Sequence, residues 1–514
     1  MSGPFLGTVS LARFVLRRDR WILPLWIAVA VLIPVSLASP TESLYPTTEA
    51  LRSYAETSMT NTATVAMRGQ IYAPTLGGVV AWGAGLSSAL VFSFANLLTV
   101  LRHTRAEEES GRLELLGSTG VGRFAHLTAV LAVVAIADLV AGSLLALALI
   151  GIGLAPGGSI VLGLSSAAIG FSMAAIAALA GQLVASAGAA RGLTFGVLVG
   201  LYALRAIGDV QGGSLSWLPW LSPFGWARLT RAFTGDRWWV LGLFLLVIAA
   251  CMCLAYGVLS RRDITAGLLP ESPGRERAPA RLRSILALAW REHRGTLLAW
   301  AVAYTALGVL IGLAAGGASA EQFGGVFTGA DALFSFLLLI LSQAASGFAI
   351  LAVLRGYGEE RRGLAELLLA YAPGRVRWAS AHTAFAVGGP VLLVALGGAG
   401  MALASEDPGA TMVAALVWLP AVWSIAAVAI ALWGWAPRLA APLTWALLAA
   451  FLLLELGVEF GRLDYSLLSL SPFSHVPRVL LGAELAAGPL LALTAIAVCL
   501  TAIGLLGIRR RDVG

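Results

Sequence analysis

The sequence predicts an all-α, multi-pass membrane protein of about twelve spanning helices, arranged as two parallel six-helix repeats. Three observations carry this expectation. Of 514 residues, 59% are hydrophobic and only 12% are charged, about half the charged share of an ordinary soluble domain. Apolar runs long enough to cross a bilayer recur from one end to the other. The charged segment VLRHTRAEEESGRLELLGSTGVGR at 100–123 returns as VLRGYGEERRGLAELLLAYAPGR at 353–375.

Spans of the first half are expected near 22–39, 76–101, 124–153, 159–186, 191–208 and 238–260. Those of the second are expected near 296–316, 331–354, 378–403, 410–434, 440–459 and 486–508. Residues 5–20 and 281–294 mix apolar residues with arginine, as interfacial elbow helices do. Residues 261–283 are rich in Arg, Pro, Gly and Glu and read as a linker between halves 1–260 and 284–514. The first apolar run is not read as a cleaved signal, because Arg17, Arg20 and Trp26 recur at the same spacing as Arg291, Arg294 and Trp300 inside the chain. The repeat extends further. Leu221-Ser222-Pro223-Phe224 returns as Leu470-Ser471-Pro472-Phe473, and the last span of each half runs into Arg-Arg-Asp, at 261–263 and 510–512. Six spans per repeat, an even number, give parallel topology with a pseudo-two-fold axis along the membrane normal. The halves differ most outside the bilayer, where residues 40–75 form a long polar loop opposite a short one at about 316–330. Gly83, Gly85 and Ser87 on the second span would permit close helix contact.

All 34 basic residues are arginine. A chain without lysine has no Walker-type phosphate loop and no Schiff-base lysine, so ATP-driven work must be powered by another subunit. With the N-terminus in the cytoplasm, 26 arginines fall on the cytoplasmic side and 8 outside. This split places both termini and both charged segments in the cytoplasm, and explains the basic balance without nucleic acid. Cys251, Cys253 and Cys499 lie in apolar runs and read as inert thiols.

Setting Gly111 against Gly363 aligns Glu107-Glu108 with Glu359-Glu360, Glu114 with Glu366, and Gly122-Arg123 with Gly374-Arg375. One residue is lost between Val-Leu-Arg and the acidic pair of the second copy. Glu107 and Glu114 are seven residues apart, as are Glu359 and Glu366, so on a helix each pair would share one face. Short surface helices are therefore expected near 103–120 and 356–373. Two equivalent charged points suggest two docking points.

The pattern Glu-Glu-x-x-Gly-x-x-Glu-Leu-Leu followed by Gly-Arg resembles the permeases of ABC type-two exporters. It is closest to the actinobacterial branch similar to tetronasin and other polyketide-antibiotic efflux permeases. The resemblance implies a type-two (type V) exporter fold in a bacterial plasma membrane. It makes Glu107, Glu108, Gly111 and Glu114 part of one coupling helix, and Glu359, Glu360, Gly363 and Glu366 part of the other. Two copies of a separate ABC ATPase, carrying ATP and Mg, would seat these helices, and the chain itself would hold no catalytic site and no cofactor. The substrate would be a lipophilic drug or polyketide-type antibiotic drawn from the lipid bilayer. Arg361-Arg362 stands where the first copy has Glu109-Ser110, so the two seats are expected to differ.

At membrane depth, Arg205 and Asp209 near the end of the fifth span correspond to Glu455 and Glu459 in the eleventh, each pair spaced i, i+4. The resemblance implies that the fifth spans meet at the centre. Two readings follow: an Arg205–Glu455 pair that closes an outer gate, or Arg205 satisfied by Asp209 within its own helix. Asp138, inside the third span, reads as a hydrogen-bond partner of a neighbouring helix ahead of a cation, proton or substrate site. His126 and His382 lack metal-ligand companions in the sequence and read as structural, so no metal site is expected. An ion- or proton-coupled secondary transporter is the alternative; it would want several convergent acids at mid-membrane.

Overall fold

A computed structural model describes residues 3–38, 45–60, 62–113, 120–211, 213–262, 267–268, 282, 284–316, 330–370, 374–403, 405–459 and 464–512. Every regular element among them is helical. The chain divides into two compact units, Met1–Gly274 and Arg275–Gly514.

The first unit contains α1 (Thr8–Arg18), α2 (Ile22–Ala38), α3 (Thr48–Thr60), α4 (Thr62–Arg68), α5 (Leu76–His103), α6 (Arg105–Glu109), α7 (Ala125–Gly151), α8 (Pro156–Leu183), α9 (Ala187–Gln211), α10 (Pro223–Leu229) and α11 (Leu241–Arg261). The second contains α12 (Ile285–Gly316), α13 (Ala330–Arg361), α14 (Leu364–Ala370), α15 (Arg375–Ala402), α16 (Pro408–Leu416), α17 (Leu419–Trp435), α18 (Pro437–Glu459) and α19 (Ala487–Arg510). Among the described residues, 11 spans are long and apolar enough to cross a membrane, and α1 with α2, bent by 72°, makes a twelfth if counted as one.

The bend at α1–α2 has a sequence cause. Pro24 lies in the first turn of α2, and by the Arg17/Arg291 register its counterpart is Leu298. Proline cannot donate to the carbonyl one turn back and clashes with it. The expected elbow is thus a separate helix in the first unit. In the second, α12 runs unbroken from Ile285, absorbing the expected elbow 281–294 into the span. The tenth span is interrupted for the same reason: Pro420, in the first turn of α17, parts it from α16.

Among the described residues the second unit buries one apolar centre, and the first buries one large centre with three smaller ones beside it. In the first, Leu97 and Val100 of α5, Val130 and Val134 of α7, Ile169 and Met173 of α8 and Phe244 of α11 interdigitate. Close approach uses Gly142 and Gly163: a Cβ on Gly142 would lie 2.6 Å from the Gly163 carbonyl oxygen, and one on Gly163 would lie 2.3 Å from that of Gly142. Of the residues picked from the second span, Gly83 faces open space and a Cβ on Gly85 would meet Leu162 only at an ordinary 3.8 Å, so neither glycine is a point of close approach.

The repeated Leu-Ser-Pro-Phe segment performs the same job twice. Ser222 and Ser471 are buried. The Ser222 hydroxyl accepts from Phe224 N and the Ser471 hydroxyl from Phe473 N, each at 3.2 Å. Proline follows as the first helical residue, where its missing N–H costs nothing.

Candidate functional site: the paired charged turns

In the first unit α5 ends at His103, Thr104 adopts φ −110° and ψ −87°, and α6 carries the acidic pair. The second copy has one residue fewer here, and α13 continues without a break through Glu359 and Glu360 to Arg361. The extra residue of the first copy is therefore absorbed as a kink at Thr104. Both copies then turn at glycine, with φ +72° at Gly111 and +71° at Gly363. This left-handed conformation favours glycine and ends the helix.

That turn corrects one expectation. Glu359 and Glu366 do not share a helix face, because Gly363 separates α13 from α14. Glu114 lies outside the described residues, although Gly111 breaks the first copy in the same way.

The acidic pairs point inward, not outward. Glu108 is 8% exposed. Arg262 Nη2 donates to its two oxygens at 2.7 and 2.9 Å, and Arg105 completes the ion pair from within the turn. Arg105 Nε also donates to the Ala185 carbonyl at 2.7 Å, and Arg262 Nε to Gln182 Oε1 at 2.8 Å. Glu108 thus joins the turn to the ends of α8 and α11. The second unit repeats the arrangement: Arg511, the counterpart of Arg262, forms a bidentate pair with Glu360, its Nη2 lying 2.6 Å from Oε2. Trp433 Nε1 donates to that oxygen at 3.0 Å.

The repeated Gly-Arg closes the same corner. Arg123 donates to the Leu259 and Arg262 carbonyls at 2.9 and 2.6 Å, and Arg375 to the Arg511 carbonyl at 2.7 Å. Four duplicated sequence features, the second Glu, the Gly, the Gly-Arg and the Arg-Arg-Asp, therefore converge on one clamp per unit. It fixes the turn after the second span to the end of the sixth. Sequence reasoning noted each repeat but missed that Arg262 and Arg511 are the partners, since more than 150 residues separate them from the glutamates.

The first glutamate of each pair is where the copies part. Glu107 pairs with Arg18 at the end of α1 and lies 3.7 Å from Arg112. Nearby, Asp19 accepts from His103 at 2.7 Å and pairs with Arg102. Burial pushes the Asp19 carboxyl up, but the His103 hydrogen bond and the charges of His103, Arg102 and Arg18 outweigh it and hold the group below its usual value. A depressed carboxyl stabilises the fold above its unfolded pKa, so this contribution is in place at neutral pH and fades below about pH 4. In the second unit Glu359 faces Trp378 and His382 instead.

What stays exposed on the turns is different. Glu109, Ser110 and Arg112 are exposed in the first copy, and Glu109 also accepts from Ala187 N at 2.9 Å. In the second, Arg361, Arg362, Leu364, Glu366 and Leu367 are exposed, Leu367 at 65%.

At the other end of the first unit, the loop around 45–72 folds over α9. Tyr202 Oη and Arg205 Nη2 donate to the Met67 carbonyl at 2.8 and 2.7 Å. Asp209 accepts from Arg205 at 3.3 Å and from Arg228 at 2.8 Å. Arg205 is 1% exposed, so its guanidinium is satisfied inside its own unit. A cavity of about 50 Å³ beside it is lined by Arg68, Trp82, Arg228 and Arg231, among others, room for a few waters. Glu455 is buried in α18, and Glu459 is the last residue of that helix. Asp138 accepts from Asn96 Nδ2 at 2.8 and 2.9 Å; it joins α7 to α5, the neighbouring-helix role read from the sequence.

Residues 282–509 match the model of the C-terminal domain of the multidrug efflux system permease Rv1217c. Over nearly its whole length, 99% of this chain and 96% of the relative, the sequence is 39% identical to the multidrug efflux system permease protein Rv1217c of Mycobacterium tuberculosis. With its helical spans and duplicated turns, this chain belongs to the Rv1217c family of membrane permeases.

Proposed function

We propose that this chain is the membrane-spanning subunit of an ATP-driven ABC exporter that removes lipophilic drugs or polyketide-type antibiotics from a bacterial cell. Its two charged turns seat two copies of a separate ATPase on the cytoplasmic side. One observation carries the reading: the same clamp, Glu108–Arg262 and Glu360–Arg511, stands behind both turns. A rigid tie from an exposed turn to the end of a span converts a push into helix movement. ATP-dependent coupling then requires only that the two states of the permease differ in affinity for the ATPase arrangement. The relative's name supports efflux of drugs, and the absence of lysine supports an external ATPase.

The test is reconstitution of the chain with its ATPase in vesicles. ATP, with no ion gradient, should drive accumulation of a lipophilic dye. Transport that follows an imposed proton or sodium gradient and ignores ATP would establish the secondary transporter instead.

A further inference from the structure

His382, expected from the sequence to lack metal-ligand companions, has them. Glu292 and His293 on α12, Glu359 on α13 and His382 on α15 meet at the base of the second charged turn. One ligand atom from each of Glu292, Glu359 and His382 lies within 4.8 Å of the others. Glu359 and His382 are 8% and 2% exposed. The Glu359 Oε1 atom is buried and accepts no hydrogen bond, although His382 Nε2 stands 3.3 Å away.

The surrounding hydrogen bonds orient these groups toward a common point. The other ring nitrogen of His382, Nδ1, is 3.0 Å from His293 Nε2. The other oxygen of Glu359, Oε2, accepts from Trp378 Nε1 at 3.0 Å. Metal-ligating histidines and carboxylates are characteristically held this way by their unligated atoms. Arg355 bonds the backbone carbonyl of Glu292, and Arg355 and Arg291 act on its carboxylate through space.

The first repeat shows what the second lacks. By the Arg17/Arg291 register Glu292 stands where the first copy has Arg18, and by the Gly-Arg register His382 stands where it has Val130. There Arg18 and Glu107 neutralise each other. In the second copy a half-buried and a buried carboxylate face each other, and like charges this close favour either a shared proton or a cation between them.

We propose that Glu292, Glu359 and His382 bind a divalent first-row cation, Zn²⁺ or Mn²⁺, which replaces the arginine of the first repeat and clamps α12, α13 and α15 beneath the second charged turn. Two carboxylate oxygens and one imidazole nitrogen are a donor set these ions accept, with open positions left for water. The cation stands one residue before Glu360, so it would stiffen the turn that is tied to Arg511.

The full-length chain, purified in detergent and stripped with EDTA, is titrated with zinc chloride or manganese chloride while thermal unfolding is followed. One of the two metals should raise the midpoint, by ligand binding to the folded state, and elemental analysis should find close to one equivalent per chain. Glu292→Arg, which recreates the first copy's pair, should fold, bind no equivalent and ignore both metal and EDTA. His382→Val should also lose the response, and His293→Phe should weaken binding roughly 10- to 100-fold. No midpoint shift with either metal would overturn the site and leave a carboxylate pair that shares a proton. An unchanged response in both Glu292→Arg and His382→Val would overturn it equally, by placing the metal elsewhere.

Discussion

Glu108→Ala should cost the permease more stability than any other single substitution in the charged turns, roughly 3–5 kcal/mol. The reason is the charge it leaves behind. Arg105 and Arg262 have side chains exposed by 1% and 2%, and without Glu108 both guanidinium groups stay buried and lose the carboxylate they share. Glu360→Ala removes the equivalent group, but Arg511 is 21% exposed and can reach water. Its loss should fall between that figure and the about 1 kcal/mol of an exposed pair. Thermal unfolding of the two variants in detergent checks the order, and Glu108→Gln should lie between wild type and Glu108→Ala. Equal midpoints for Glu108→Ala and Glu360→Ala would mean that burial of the pair does not govern the clamp.

The second large effect concerns coupling, not folding. Glu366 and Leu367 are exposed on α14, Leu367 at 65%. Glu366→Arg with Leu367→Asp should therefore shift stability by no more than about 0.5 kcal/mol, as surface changes do. If an ATPase seats there, the same pair should weaken its binding by at least about 2 kcal/mol, roughly 30-fold, and remove stimulation of ATP hydrolysis. The contrast with Glu108→Ala would then distinguish the outer face proposed to meet the partner from the inner charge proposed to carry the push.

Much of this architecture was legible in the sequence. Hydropathy located most spans to within about four residues because a long apolar run permits little else in a membrane, but α12 begins at Ile285, not near 296, and α13 runs to Arg361, not 354, because charged residues extend these helices beyond their apolar stretch. The repeat showed which residues matter twice. Three things were not legible, each for a physical reason. The inward direction of Glu107, Glu108 and Glu360 depends on arginines distant in the chain, and that of Glu359 on Trp378 and His382, whereas the local spacing only set Glu107 with Glu114 and Glu359 with Glu366 on one face. The glycine turns at Gly111 and Gly363 overrode the seven-residue spacing, since a left-handed residue ends a helix whatever follows. The Glu292–Glu359–His382 corner joins three helices, and no single stretch of sequence contains two of its ligands. In contrast, the Pro24 bend was readable in principle: the aligned Leu298 has an N–H and Pro24 has none.

The central claim is that the exposed turn behind Gly363 touches the ATPase. Because the chain has no lysine, a reagent joining a thiol to an amine is well suited to test it. Leu367→Cys is made in a background with Cys251, Cys253 and Cys499 changed to serine, and the complex with the ATPase is treated with a short maleimide–succinimidyl ester. The account predicts a covalent adduct of the two subunits whose yield changes when ATP is added. An ATPase that co-purifies and hydrolyses ATP under stimulation, yet forms no adduct at position 367, would contradict it.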